Sequence, residues 1–388
     1  MADNKSKLIS NQLSFCVLGA IEAAWAPMVP FVKSDLGLND AQFGNMLFAM
    51  GVGSICALPG VGPLISKFGP RLVAFIGGIA LGLSLVGISI SDSALLLPIL
   101  LAIFGASLIF MDVASNVNAV VVEKLFKRPL MSGFHGGYSL GTIIGALLMT
   151  LLLNMHLDIT VSAVVVFIVM VGGMFIFCRS LERDVSAFNE KQKQTDDHIQ
   201  HKRFYIPPAI LVLGLLCFSM YGSEGALLSW STVFATQNRG IDPTVAGYFY
   251  LFFAVAMTSV RLLGNKIVTK FGRRKTVVTG AVAVCLGFVI AAIVESQIGM
   301  MVGFALVGLG AGNIVPQLVS FTGSIKGMKV QSAISLINAL GYSGVLLGPV
   351  IIGHVSNMSS LEVSFEVLGA AVFAVAVISF FLLKVKKD

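Results

Sequence analysis

An all-α polytopic membrane protein, twelve transmembrane helices in two pseudo-symmetric six-helix halves, is the fold class this sequence predicts. Three observations lead there. Apolar runs of spanning length recur from end to end, Lys and Arg collect on alternate connections between them, and the second half of the chain repeats the first at a constant shift.

The runs follow from composition. The chain is 56% hydrophobic and 12% charged, with a mean hydropathy of +0.91, outside the range of soluble domains. A hydrocarbon core about 30 Å thick is crossed by about 20 helical residues. The expected spans are 9–31, 41–64, 71–91, 95–122, 130–153, 159–179, 206–231, 244–264, 275–295, 298–322, 331–354 and 362–383. Backbone amides in lipid need internal partners, and the runs lack the two-residue alternation of barrel strands, so helices are expected.

Charge sets the sidedness. With the amino terminus inside, 23 of the 26 Lys and Arg fall on inner connections or at their edges, among them Lys67, Arg71, Lys127, Arg128, Lys270, Arg273, Arg274, Lys384 and Lys387. Only Lys33 and Arg239 face outward, and Arg261 lies inside a span. Both termini are therefore expected in the cytoplasm, at a bacterial inner membrane. The same rule explains the net charge of +7, so no nucleic-acid partner is inferred from it. The first run is too long for a cleaved signal peptide and lacks a small-residue cleavage site. Cys16, Cys56, Cys178, Cys217 and Cys285 stand singly, so neither disulfides nor a metal site are expected.

The repeat gives the domains. A shift of 203 residues lays LGLNDAQFG (36–44) on RGIDPTVAG (239–247) and KFGPR (67–71) on KFGRR (270–274). It pairs Gly77 with Gly280, Gly105 with Gly308, His135 with Asn338 and Gly145 with Gly348. Small residues are common where membrane helices pack, but one register held over five helices is a duplication. The boundaries read as a six-helix bundle over 1–180, a polar linker over 181–205 and a second bundle over 206–388. His198 and His201 in the linker read as part of a solvated connector.

Parallel six-helix halves with a site between them resemble the major facilitator superfamily. GPLISKFGPR (62–71) is similar to that family's loop between helices 2 and 3, and NKIVTKFGRR (265–274) is its second-half echo. Ser66 and Thr269 stand where the motif has Asp, and Lys67 and Lys270 where it has Arg. The resemblance implies gating loops, here Lys67, Gly69, Arg71, Lys270, Gly272 and Arg273, with glycines for tight turns and basic residues for the anionic membrane surface. FGASLIFMDVASNVNAVVVE (104–123), FHGGYSLGTIIGA (134–146) and the GSEG of helix 7 resemble a bacterial branch of the superfamily's secondary transporters. Helix 5 has GTIIGALLM where drug antiporters carry a Gly-Pro pair, which counts against multidrug export.

Three acids fall inside spans, Glu22, Asp112 and Glu224. Each is expensive in lipid, so proton coupling is the sharper reading and a fixed helix contact the plainer one. Asp112 and Asn116 lie four apart on one face, whereas Asn118 points elsewhere and reads as packing. His135, Tyr138, Ser139 and Thr142 form a stripe on helix 5, and Asp112 with His135 reads as a carboxylate-imidazole pair. Glu22, with Trp25 beside it, and Glu224 are expected to oppose each other from helices 1 and 7. Asn313, Gln317, Asn338 and Tyr342 complete the substrate-contact candidates: Trp25, Asn116 and Tyr138 in the first half, these four in the second. Arg261 reads as structural, snorkelling or paired with a carboxylate, with anion binding as the other reading.

The function expected is secondary active transport of a small polar, possibly hydroxylated solute by alternating access, coupled to protons. Export of amphipathic or drug-like compounds and a transporter-like solute sensor are the alternatives. No phosphate loop, metal cluster or nucleophile motif is present, so no cofactor is expected, nor an enzyme. The bilayer, the solute and protons are the expected partners, and the chain is expected to be a monomer.

Overall fold

The computed structural model describes residues 2–127, 130–182, 206–321, 325 and 330–382; most of the expected linker and the basic tail lie outside the described residues. Every regular element among the described residues is a helix. Among the described residues eleven helical stretches are long and apolar enough to cross a membrane, and one of them, Asp40–Ser89, is two helices joined at a kink, so the twelve expected spans are present.

Local chemistry explains the breaks. Helices α1 (Ala2–Ala23) and α2 (Trp25–Asp35) form one span interrupted at Ala24, where Pro27 cannot donate to the turn before it. In α3 (Asp40–Ser89) the kink sits at Gly69, with φ 79° and ψ 155°. Its repeat partner Gly272, between α8 (Pro243–Phe271) and α9 (Arg273–Ile293), has φ 78° and ψ 156°. A side chain is strained at such angles, so both turns require glycine. Helices α4 (Leu96–Phe126), α5 (Met131–Asn154), α6 (Ile159–Phe177) and α7 (Pro208–Arg239) complete the series up to α8. After α9 come α10 (Gln297–Ala311), α11 (Ile314–Phe321), α12 (Val330–Met358) and α13 (Leu361–Leu382). Starts are capped by short polar side chains: Asp158 accepts from the Thr160 amide at 2.7 Å, Asp242 from Thr244 at 2.8 Å and Ser296 from Gly299 at 3.0 Å.

The chain divides into two compact units: the described residues of 1–37 and 46–202 in one, and those of 38–45 and 203–388 in the other. Within the first, α1 packs along α5. A Cβ built on Gly141 or Gly145 would stand 2.0 Å from the Cys16 carbonyl oxygen and 1.8 Å from that of Ala20. In the second, α7 packs along α12 in the same way, with Gly344 on the Phe218 carbonyl at 2.1 Å and Gly348 on that of Gly222 at 2.8 Å. The same duplication fixes Gly105 against the Met50 carbonyl and Gly308 against that of Phe253.

The exit from α6 is tied down within the first unit. Glu182 takes the Lys7 ammonium at 2.7 Å, its amide donates to the Asn118 side chain at 2.7 Å, and its carbonyl accepts from the Arg71 amide at 3.1 Å. In the second unit the first turns of α3, opened by a reciprocal Asn39–Gln42 cap, pack Phe43 edge-on to Trp230. There Asn45 meets His354 at 2.9 Å and Ser356 donates to Asp40. Arg239 is 3% exposed: it pairs with Glu362 at 3.3 Å and donates to the Ala291 and Ala292 carbonyls that end α9.

Candidate functional site

The polar residues of the spans gather separately in each unit. In the first, Tyr138 of α5 donates to the Glu22 carboxylate at 2.5 Å. The close approach that lets it do so is set by Gly19, whose absent side chain leaves room for the Tyr138 backbone. On α4 the Asn116 amide donates both to the Asp112 carboxylate at 2.9 Å and to its carbonyl at 3.0 Å. Both side chains are half-buried. The expected Asp112–His135 pair does not form. Asp112 is engaged from its own helix, while the His135 ring lies edge-on to Phe15 of α1 at 5.3 Å. Periodicity places residues on a face but does not set the rotation of α4 against α5, which decides this contact. Trp25 is fully buried, in the packing of α2.

In the second unit Glu224 of α7 is bound by Arg261 of α8, Nη2 lying 3.0 and 3.3 Å from the two carboxylate oxygens. The stem of Arg261 rests on Gly312, just past α10. One turn before Glu224, Tyr221 stacks on Tyr342 of α12 with centroids 5.3 Å apart and planes at 18°. The Arg261 side chain keeps 31% exposure and that of Glu224 21%.

The remaining candidates separate. Asn313 is buried and donates to the Val260 carbonyl at 3.2 Å, joining α8 to the link between α10 and α11. Gln317 accepts from Arg273 at 3.4 Å, and Ser320 from the same guanidinium at 2.8 Å, so this gating-loop residue is hooked to α11. Asn338 is half-buried one turn from Tyr342. Lys67 and Lys270 lie over the neighbouring rings of Phe68 and Phe271 at 5.1 and 5.4 Å, and Arg71 over Phe75 at 5.8 Å. Among the described residues no group of His, Cys, Asp and Glu has the arrangement of a metal site.

Each unit also carries an apolar groove away from these acids. One, of about 590 Å³, lies between α3 and α4 and includes Gly53, Pro98 and Ala102; the other, of about 690 Å³, lies between α8 and α10 and includes Ala256, Met301 and Ala305. Those residues match pairwise under the 203-residue shift.

One correspondence was missed in the sequence. Helices 1 and 7 align at a shift of 202, not 203, which makes Glu22 the counterpart of Glu224 and Gly19 that of Tyr221. The signal was present in the near-match of the two acids.

The family model for the Major Facilitator Superfamily matches residues 13–270 and again 234–388. The chain belongs to the major facilitator superfamily. An uncharacterised MFS-type transporter of Yersinia pestis is 37% identical to it over 372 residues, 96% of this chain and 94% of the relative. The membrane protein MosC of Rhizobium meliloti is 25% identical over 89% of this chain and 83% of its own length. Among solved structures, a D-xylose–proton symporter superposes with TM-score 0.74 at 14% identity over 97% of each chain, and a nucleoside transporter with TM-score 0.71 at 13% identity over 100% of each. At such identities the likeness is one of fold, and the fold is that of a superfamily transporter.

Proposed function

We propose that this superfamily member is a proton-coupled secondary transporter of a small polar solute, with Asp112 as the group that takes up and releases the proton. The observation that carries this reading is the company Asp112 keeps. Its carboxylate sits in a span with only the Asn116 amide as hydrogen-bond partner among the described residues, whereas Glu224 is held by a guanidinium. A carboxylate fixed by a cation is held firmly in its charged form; one in a span with no cation beside it, met only by a neutral amide, has less to hold it there. Loading it changes which open state is favoured, and that difference is what couples proton to solute. The Glu22–Tyr138 hydrogen bond lies in the same unit and is assigned a supporting role.

The solved neighbours that act on a nucleoside and on D-xylose with a proton fit a polar, hydroxylated solute. The glycine turns at Gly69 and Gly272, with Lys67, Arg71, Lys270 and Arg273, are assigned to the inner gate. The charge pattern supports cytoplasmic termini in a bacterial inner membrane, and a monomer suffices. Purified protein in liposomes enclosing a pH-sensitive dye tests the reading. A transported solute is expected to drive proton movement in wild type and none in Asp112→Asn; proton movement undiminished in that variant would remove Asp112 from the role.

A further inference from the structure

The glycine turns of the two units carry unlike charge. KFGRRK (270–275), with Lys266 one turn earlier, puts five cations around Gly272. Under the 203-residue shift only two recur, as Lys67 and Arg71; Pro63, Pro70 and Leu72 stand for Lys266, Arg273 and Lys275. The second unit also lacks acids to match them. No Asp or Glu occurs between Asp242 and Glu295, between Glu295 and Glu362, or between Glu366 and Asp388. Glu295 follows the far end of α9, and Glu362 meets Arg239 at that same end. In the first unit the chain supplies the negative partner itself, since Glu182 takes Lys7 at 2.7 Å and its carbonyl accepts from the Arg71 amide at 3.1 Å.

The cations of the second turn are not used alike. Arg273 is hooked to Gln317 and Ser320. Arg274, in the first turn of α9, stands with Cζ 4.0 Å from the centre of the Phe380 ring of α13. Its Nε is buried without an acceptor, and its two Nη groups have none among the described residues. The ring serves the face of the guanidinium and leaves the hydrogen-bonding edge unmatched. That edge suits two oxygens of a phosphate. Phe380 and its neighbour Phe381 are exposed, so apolar surface adjoins the charge. A head that is anionic and tails that are hydrocarbon match both halves of this surface.

We propose that the α8–α9 turn binds an anionic phospholipid, with its phosphate on the Nη edge of Arg274, its acyl chains along Phe380 and Phe381, and Lys270 and Lys275 adding to the attraction. The lipid supplies to this turn the negative partner that Glu182 supplies to the turn in α3.

The experiment titrates the full chain in detergent with dioleoyl-phosphatidylglycerol or dioleoyl-phosphatidylcholine and counts bound lipid by native mass spectrometry. The anionic lipid is expected to bind about tenfold more tightly than the neutral one, and Arg274→Met to remove most of that preference. Arg274→Lys, which keeps the charge and loses the planar donors, is expected to weaken binding severalfold. Arg71→Met, the same change in the first unit, is expected to stay within about twofold of wild type. Should Arg274→Met not fold, Lys275→Gln on the exposed side of α9 reads the same preference and is expected to reduce it. Glycerol 3-phosphate, the head without tails, is expected not to displace the lipid. Equal binding of the two lipids, an undiminished preference in the Arg274 variants, or a loss in Arg71→Met as large as in Arg274→Met would each overturn the proposal. Displacement by glycerol 3-phosphate would overturn it in favour of a soluble phosphate.

Discussion

The two units solve the same problem with the parts exchanged. In the first, the helix bearing the acid has Gly19 and the facing helix supplies Tyr138, which bonds to Glu22. In the second, the acid-bearing helix supplies Tyr221, and the facing helix has Gly341, whose Cβ would lie 2.6 Å from the Tyr221 ring. Gly341 is the repeat counterpart of Tyr138, and Tyr221 that of Gly19. One glycine and one tyrosine thus fill the gap beside each acid, from opposite helices. The exchange leaves one carboxylate bonded by a hydroxyl and frees the other for Arg261. A duplicated scaffold has acquired unlike electrostatics by swapping which helix contributes bulk.

The scaffold common to both units should break symmetrically, and this is the largest effect expected. Gly105→Leu and Gly308→Leu each put a side chain where a carbonyl lies within 2.3 Å, and both are expected to yield no monodisperse protein on size exclusion. Gly62→Ala, with nothing within 4 Å of the added Cβ, is expected to behave as wild type. Folding of either leucine variant would mean that the contact is not common to both halves.

Below that stands the Arg239 clamp, which the first unit lacks. Its counterpart there is Leu36. Arg239→Met removes the donors to the α9 carbonyls and the cation beside Glu362 and is expected to lower stability by about 2 kcal/mol in a reversible unfolding assay, Glu362 being 29% exposed and keeping its hydrogen bonds to Asn238 and Ser360. Leu36→Met should stay within about 0.5 kcal/mol of wild type. Smaller still is the tyrosine pair. Tyr138→Phe removes the Glu22 bond and is expected to slow transport severalfold, whereas Tyr221→Phe, which keeps its ring, is expected to leave the rate within about twofold. Equal slowing by both would show that the exchange of parts has no functional consequence.

What was legible in the sequence divides along similar lines. The spans and the duplication were, because hydropathy sums over about 20 residues and tolerates individual errors. The turns at Gly69 and Gly272 were, because a positive φ leaves a glycine in both copies. Contacts between helices were not. Asn313 and Gln317 share a face by spacing, yet one bonds a neighbouring helix backbone and the other an arginine from a loop. Asp112 was expected beside His135 and took Asn116, since depth and rotation are fixed by packing that no single helix encodes. The one-residue slip of helix 7 hid the Gly19–Tyr221 exchange for the same reason: it appears only when α1 and α7 are matched by the glycines that pack on them.

The central claim is that Asp112, solvated by an amide and not by a cation, carries the coupling proton. Its most direct test compares two modes of solute movement in proteoliposomes, exchange at equal pH and accumulation against a gradient driven by pH. Asp112→Asn is expected to keep exchange near the wild-type rate and to lose accumulation. Accumulation that persists at the wild-type level would contradict the account.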